Sequence, residues 1–374
     1  MRILFYFLSS RILFLTFAIL AGLVLSLREG YLGKNFDPHS HYLTWIWANF
    51  DGTHFLDIAS KGYSNFDFAF FPLYPLLVSM LSKLLHISEL TAGIILSLLC
   101  LIASLIFIYK AVLIDFKEKT AGLTILLLLF SPFAFFYHGV YTESLFLLAT
   151  TASLYFARRK RWVSSGLWGM LAVLTRLAGV SLMPALAAEW FFQNRQDFKV
   201  DFKIFFRFLK NGGLAIIICG LGLILYMVYL KIFFGNPLLF QTSMVAWNQS
   251  SFVLLPQVIF RYLKIFLSVD PSSLVYQIAL LEFLSFFLYL WLSLFTLIKI
   301  RLSYGVFMIV LLALVTFTGT FAGTPRYITH LFPGFLALAV IIDDNRFLKI
   351  ETAVLFLLLG FIFTTLFTRG YFIT

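Results

Sequence analysis

Three ionisable residues recur at a spacing of three in one short stretch: Asp51, His54 and Asp57, within Asn49-Phe50-Asp51-Gly52-Thr53-His54-Phe55-Leu56-Asp57. On a helix the first two share roughly one face and the third drifts around it. A carboxylate beside an imidazole can take a proton from a hydroxyl. The same residues can equally cap a helix or simply face water. A second set stands where charge is costly. Glu143 follows Tyr141-Thr142 and opens an apolar run, Arg176 lies within Leu174-Thr175-Arg176-Leu177-Ala178-Gly179, and Arg326 lies between Pro325 and Tyr327. Ionisable groups inside apolar runs are functional candidates. The alternative is a Glu143–arginine ion pair that only fastens helices. Glu189 falls near the inner end of its expected helix and is read as snorkelling or facing the cytoplasm. Glu282 receives no assignment.

The elements that must hold these residues are membrane helices. Of 374 residues, 61% are apolar and 12% charged, against about 45–50% and about 25% in soluble domains. Mean hydropathy is +0.96. Too little polar side chain is present to clothe a water-soluble fold. The apolar runs predict an all-α polytopic membrane protein of about 11 transmembrane helices of roughly 20 residues each. They fall at 12–27, 88–109, 120–137, 143–157, 163–180, 181–193, 212–231, 274–298, 303–320, 330–342 and 351–368. The segment 68–87 is set apart, because Ser79, Ser82, Lys83 and His86 stripe one helical face. It reads as an interfacial helix with Pro72 and Pro75 near its start.

With the N-terminus cytoplasmic, most of the 28 basic residues, Arg2 and Arg11 among them, fall on inner segments, as the positive-inside bias requires. The loop 28–87 is then extracytoplasmic. It carries Asp51, His54, Asp57 and Tyr63. Lys199, Lys203, Arg207 and Lys210 line a basic amphipathic helix suited to the inner leaflet, and Gln257, Arg261, Lys264 and Ser268 stripe a second on the outer side. The chain reads as one domain, 1–374, without repeats.

The net charge of +11 orients the protein in the membrane and faces lipid phosphate; no nucleic-acid partner is expected. Cys100 and Cys219 lie in apolar runs and read as small hydrophobes. The first helix reads as retained, since no small-residue cleavage site follows it. The 47 phenylalanines read mostly as lipid-facing filler. No glycine-rich phosphate loop is present, so no nucleotide site is expected. No metal or other cofactor is required, although Asp51, His54 and Asp57 offer a weak divalent-metal pattern. The sequon Asn248-Gln249-Ser250 is read as chance. A carboxylate base beside guanidinium groups on one aqueous face suits group transfer from a lipid phosphate: the base takes the acceptor proton and the cations hold the departing phosphate.

At these residues the sequence resembles the PIG-V family of mannosyltransferases, within the GT-C group that uses polyprenyl-phosphate sugars. The resemblance rests on Phe50-Asp51 to Gly62-Tyr63 followed by Ala69-Phe70-Phe71-Pro72-Leu73-Tyr74-Pro75, and on Ser131-Pro132 followed by Tyr141-Thr142-Glu143-Ser144-Leu145-Phe146. It continues in Arg161-Trp162 through Leu174-Thr175-Arg176 to Gly179, and in Pro325-Arg326-Tyr327 with Phe332-Pro333. One departure is Phe50, where the family has tryptophan before the aspartate. The resemblance implies a GT-C-like bundle that moves a hexose, mannose first, from a polyprenyl-phosphate donor to a hydroxyl of a lipid or glycan acceptor, outside the cytoplasm. The lipid-linked sugar phosphate is a co-substrate. It implies Asp51 as catalytic base, and His54, Tyr63, Tyr141, Glu143, Arg176, Arg326 and Tyr327 as substrate-binding residues. Two rivals are a lipid or sugar transporter without covalent chemistry and a non-catalytic subunit. A transporter predicts internal repeats and broken helices at the midplane. A non-catalytic subunit predicts that Asp51 and Arg326 are dispensable.

Overall fold

The computed structural model describes residues 2–29, 42–64, 67–195, 206–247 and 252–373. Among these residues every regular element is helical. In lipid no water satisfies the backbone, so helices that close their own hydrogen bonds are what such apolar runs permit. The chain divides into two compact units. Unit 1 comprises Met1–Ser64, Leu73–Leu145 and Leu338–Ile373; unit 2 comprises Asn65–Pro72 and Phe146–Ala337.

Unit 1 contains α1 (Arg2–Val24), α2 (Asp51–Lys61), α3 (Leu73–Leu85), α4 (Glu89–Val112) and α5 (Glu118–Leu129). It also takes the first residues of α6 (Glu143–Arg158), and α14 (Arg346–Thr368). α1 packs along α14 and α5, with Phe14 edge-on to Phe135 at 6.3 Å and Phe17 to Phe361 at 5.3 Å. Its other face exposes Phe5, Ile12, Ile19 and Leu23, the pattern of a lipid-facing helix. Arg11 corrects the sequence reading. It is not a loop charge: it lies nine residues into α1, about 14 Å along the axis, buried, with Nη1 donating to Ala134 O at 3.1 Å.

Unit 2 contains the rest of α6, then α7 (Trp162–Thr175), α8 (Leu182–Asn194), α9 (Leu214–Phe234), α10 (Leu255–Ser268), α11 (Leu274–Phe295), α12 (Leu302–Thr316) and the start of α13 (Phe332–Ile342). α7 and α9 approach so closely that a Cβ at Gly166 would stand 2.9 Å from Ala215 O, and one at Gly222 only 2.6 Å from Met170 O. Small residues at such crossings are how helices associate where lipid supplies no hydrophobic drive. α8 packs on α12, and here Glu189 departs from the snorkelling expectation. It is fully buried and accepts from Arg301 (Nε 3.0 Å, Nη2 2.5 Å), Ser303 (2.6 Å) and Gln193 (2.6 Å), with Arg158 Nε at 3.4 Å. Two arginines on neighbouring helices hold it inside.

Five helices among the described residues are long and apolar enough to cross a bilayer, α1, α4, α14, Phe206–Phe234 and Leu274–Ile300. A sixth results if Thr324–His330 and Phe332–Ile342, bent by 82°, act together. Several expected spans are shorter helices with a broken end. The run 120–137 stops at Leu129, ahead of Ser131-Pro132, and resumes as a 3-10 turn, Ala134–Tyr137; a residue before proline is pushed out of the helical region. The run 163–180 stops at Thr175 because Arg176 is extended (φ −156°, ψ 144°). The interfacial segment forms α3, 13 residues long and too short for a hydrocarbon core of about 30 Å. Its polar stripe is split, however: Ser82 turns inward and donates to Ile87 O at 2.6 Å. Many phenylalanines, including Phe14, Phe135, Phe146, Phe307 and Phe321, are core rather than lipid-facing. Lys199, Lys203 and the sequon lie outside the described residues; Arg207 and Lys210 fall at the start of the helix running to Phe234.

Candidate active site

In unit 1, Asp51 is the first residue of α2 and is half-buried. Its position is fixed from behind. Asn49 is buried, its Nδ2 donates to Phe367 O at 2.8 Å, and its own carbonyl accepts the Tyr141 hydroxyl at 2.5 Å. Val140 N donates to Trp47 O at 2.8 Å, and Trp47 lies against His138 with ring centroids 4.6 Å apart. Between Asn49 and Asp51, Phe50 adopts φ 54°, ψ −116°, a conformation that a bulky L-residue rarely takes. Its ring sits against Phe367 (5.8 Å) and Phe372 (5.5 Å). At Gly52 and Gly139 the two segments touch: a Cβ on Gly52 would meet Val140 O at 3.4 Å, and one on Gly139 would meet Trp47 O at 2.9 Å.

His54 is half-exposed one turn after Asp51, and Tyr63 is half-buried just past Gly62, whose φ is 83°. Asp57 points away from this group. It is exposed and pairs with Lys61 at 2.7 Å, and that hydrogen bond raises the Lys61 ammonium above its ordinary value. Among the described residues no three His, Cys, Asp or Glu side chains are placed to hold a metal ion. Tyr141 and Glu143 are both buried, Glu143 opening α6. The loop leading to them is pinned to α4, where Ser97 Oγ donates to Gly139 O at 2.8 Å. The structure therefore joins Asp51, through Asn49, to the loop that carries Tyr141 and Glu143.

In unit 2, the residues read from two distant motifs meet. Arg176 caps α7, and its guanidinium lies over the Tyr327 ring at 4.5 Å. Arg326 lies by the same ring at 5.9 Å. One phenol thus serves as a platform for two cations, each half-exposed. Arg176 Nη1 also lies 3.5 Å from His330 Nε2. His330 is buried, edge-on to Phe146 (4.9 Å) and Tyr327 (6.2 Å). Sequence reasoning passed over His330 and gave Asn49 no role. A polar residue enclosed by aromatics, Trp47 and Phe50 in one case and Tyr327 and Phe332 in the other, was the signal available.

The segment carrying Arg326 is held in turn. Glu282 is buried and accepts the Tyr262 hydroxyl at 2.5 Å. That hydroxyl accepts Phe321 N–H at 3.0 Å, and Arg261 Nη1 donates to Gly319 O at 2.7 Å. Glu282, unassigned in the sequence, braces the approach to Thr324–Tyr327.

The fold is that of an all-helical protein with several helices long and apolar enough to cross a membrane. Residues 2–264 match the mannosyltransferase (PIG-V) family, and the chain belongs to it. Comparison with curated proteins finds no match. Among solved structures, ArnT from Cupriavidus metallidurans bound to undecaprenyl phosphate is similar at 15% identity with a TM-score of 0.52, covering 90% of this chain and 60% of ArnT. The Archaeoglobus fulgidus oligosaccharyltransferase tethered to an acceptor peptide is similar at 13% identity with a TM-score of 0.49, covering 98% of this chain and 55% of that enzyme. The chain spans less than two thirds of the length of either, and the likeness to ArnT is one of fold.

Proposed function

We propose that the protein transfers mannose from a polyprenyl-phosphate donor to a hydroxyl of a lipid or glycan acceptor on the extracytoplasmic face, with inversion. Asp51 takes the proton of the acceptor hydroxyl as its oxygen bonds to the anomeric carbon. The bond from that carbon to the phosphate oxygen breaks, and polyprenyl phosphate leaves with the electron pair. Arg176 and Arg326 bind the leaving phosphate, where planar forks suit two oxygens at once. Glu143 orients a sugar hydroxyl or an arginine, while His54, Tyr63, Tyr141 and Tyr327 shape the sugar pocket. The chemistry needs no nucleotide and no metal, since the departing polyprenyl phosphate, a phosphate monoester, is already a good leaving group.

The observation that carries this reading is the mounting of Asp51: half-exposed, first on its helix, and locked by Asn49 to the loop of Tyr141. Family membership supports mannose, and the fold likeness to an enzyme bound to undecaprenyl phosphate supports the lipid carrier. The charge bias supports the outer face and a cytoplasmic N-terminus. In purified protein given polyprenyl-phosphomannose, Asp51→Asn is expected to cut turnover by about 10²–10⁴-fold with folding intact. Wild-type turnover in that variant excludes the assignment of the base.

A further inference from the structure

At the end of unit 1 where α1, α5 and α14 begin and α4 finishes, a cavity of about 780 Å³ opens. Its mouth carries Arg2, Lys119 and Lys349 with Glu118 and Asp343. Ile3 lies beside Arg2, and the wall one to two turns further along the helices is Tyr6 from α1 and Leu123, Ile125 and Leu126 from α5. Asp343 binds both lysines: Lys119 Nζ lies 3.0 Å from its Oδ1 and Lys349 Nζ 3.3 Å. Two ammonium groups thus share one carboxylate and are held side by side. Arg2 has no ion-pair partner among the described residues, and the hydroxyls of Tyr6 and Tyr109, which line the same cavity, have no hydrogen-bond partner there. Beside Gly122 the space is open, with no atom within 4 Å of a Cβ built on it.

We infer that this cavity is a binding site for an anionic phospholipid of the leaflet that the N-terminus faces, the cytoplasmic one by the charge bias. Three cations against two carboxylates give the mouth an excess of positive charge, and Arg2 with the two phenols supplies donors for a phosphodiester. The gradient from charge at the helix ends to aliphatic wall within three turns fits an amphiphile, whose glycerol and first acyl carbons continue inward. A soluble anion has no use for that wall. Basic pockets between membrane helices on this side recognise lipid head groups by the same logic.

The test uses the full-length protein in mild detergent, titrated with phosphatidylglycerol or phosphatidylcholine and observed by native mass spectrometry. One phosphatidylglycerol is expected to be retained in preference to phosphatidylcholine. Lys119→Gln with Lys349→Gln should weaken that retention about fivefold per cation removed. Gly122→Leu, which fills the cavity without touching charge, should weaken it severalfold. Inorganic phosphate at millimolar concentration should not displace the lipid. Unchanged preference in both sets of variants overturns the site, and displacement by phosphate alone overturns the lipid as its ligand. If the lysine variants fail to fold, Gly122→Leu combined with Tyr6→Phe and Tyr109→Phe decides the matter by the same readout.

Discussion

Phe50 holds a backbone conformation, φ 54° and ψ −116°, that costs about 1–3 kcal/mol in a non-glycine residue. The strain is offset by the Asn49 hydrogen bond to Phe367 O and by two ring contacts. Removing the Asn49 side chain should let the turn relax and shift Asp51. Displacements of about 1 Å can cost 10²-fold in rate, so Asn49→Ala is expected to lower kcat by roughly that factor with KM little changed. Steady-state kinetics on the purified variant checks this; a loss confined to KM counts against it. Glu189 offers a different outcome. Deleting its charge leaves Arg158 and Arg301 buried without a counter-ion, and breaking such a group costs about 3–5 kcal/mol. Glu189→Ala should therefore unfold at markedly lower temperature in detergent, which differential scanning measures, whereas Asp57→Ala, on an exposed pair, should not. The sequence revealed Asp51, Glu143 and the arginines as candidates because charge beside apolar residues is conspicuous. It hid Asn49 and His330, whose importance lies in contacts across hundreds of positions that no local spacing encodes.

Among the elements, α7 and α9 depend on glycine at their crossing. Gly222→Leu would drive a side chain into Met170 O, and overpacking of this kind costs about 1–3 kcal/mol or more. Poor yield of monodisperse protein on size exclusion is the expected result, while Gly122→Leu, placed in open space, should purify normally. The existence of most helices was legible from hydropathy, but their ends were not. The breaks at Phe130-Ser131-Pro132 and at Arg176 arise where backbone turns to carry functional side chains, and an apolar average over such a stretch smooths the turn away. Within 68–87, α3 is only 13 residues long, and Ser82 of its expected polar stripe turns inward.

For the whole molecule, the charge bias makes an orientation that can be measured. A cysteine introduced at Ser272, in a background with Cys100 and Cys219 replaced, should react with a membrane-impermeant thiol reagent added to intact cells. One at Asp344 should react only after permeabilisation; the reverse pattern would place Asp51 in the cytoplasm. The Lys119–Asp343–Lys349 group gives a pH expectation. Burial alone would raise the Asp343 carboxyl, but hydrogen bonds and charge from Lys119 and Lys349 outweigh it and hold it below the ordinary value of 3.8. A carboxyl lowered on folding stabilises the folded state fully above its ordinary range and loses that contribution as pH falls through the folded value. The stability contributed by this group should thus be constant from pH 8 to about pH 5 and be lost only below about pH 4, as thermal unfolding in detergent across that range would register.

The pedestal beneath residue 51 includes Phe367 and Phe372, and Arg369 reaches back to Leu25 O and the Tyr42 hydroxyl, each at 2.7 Å. A ribosome reaches those positions only after nearly every other helix has been made and inserted. A chain cut short before Phe367 would therefore carry Asp51 without the Asn49 anchor and the ring contacts of Phe50.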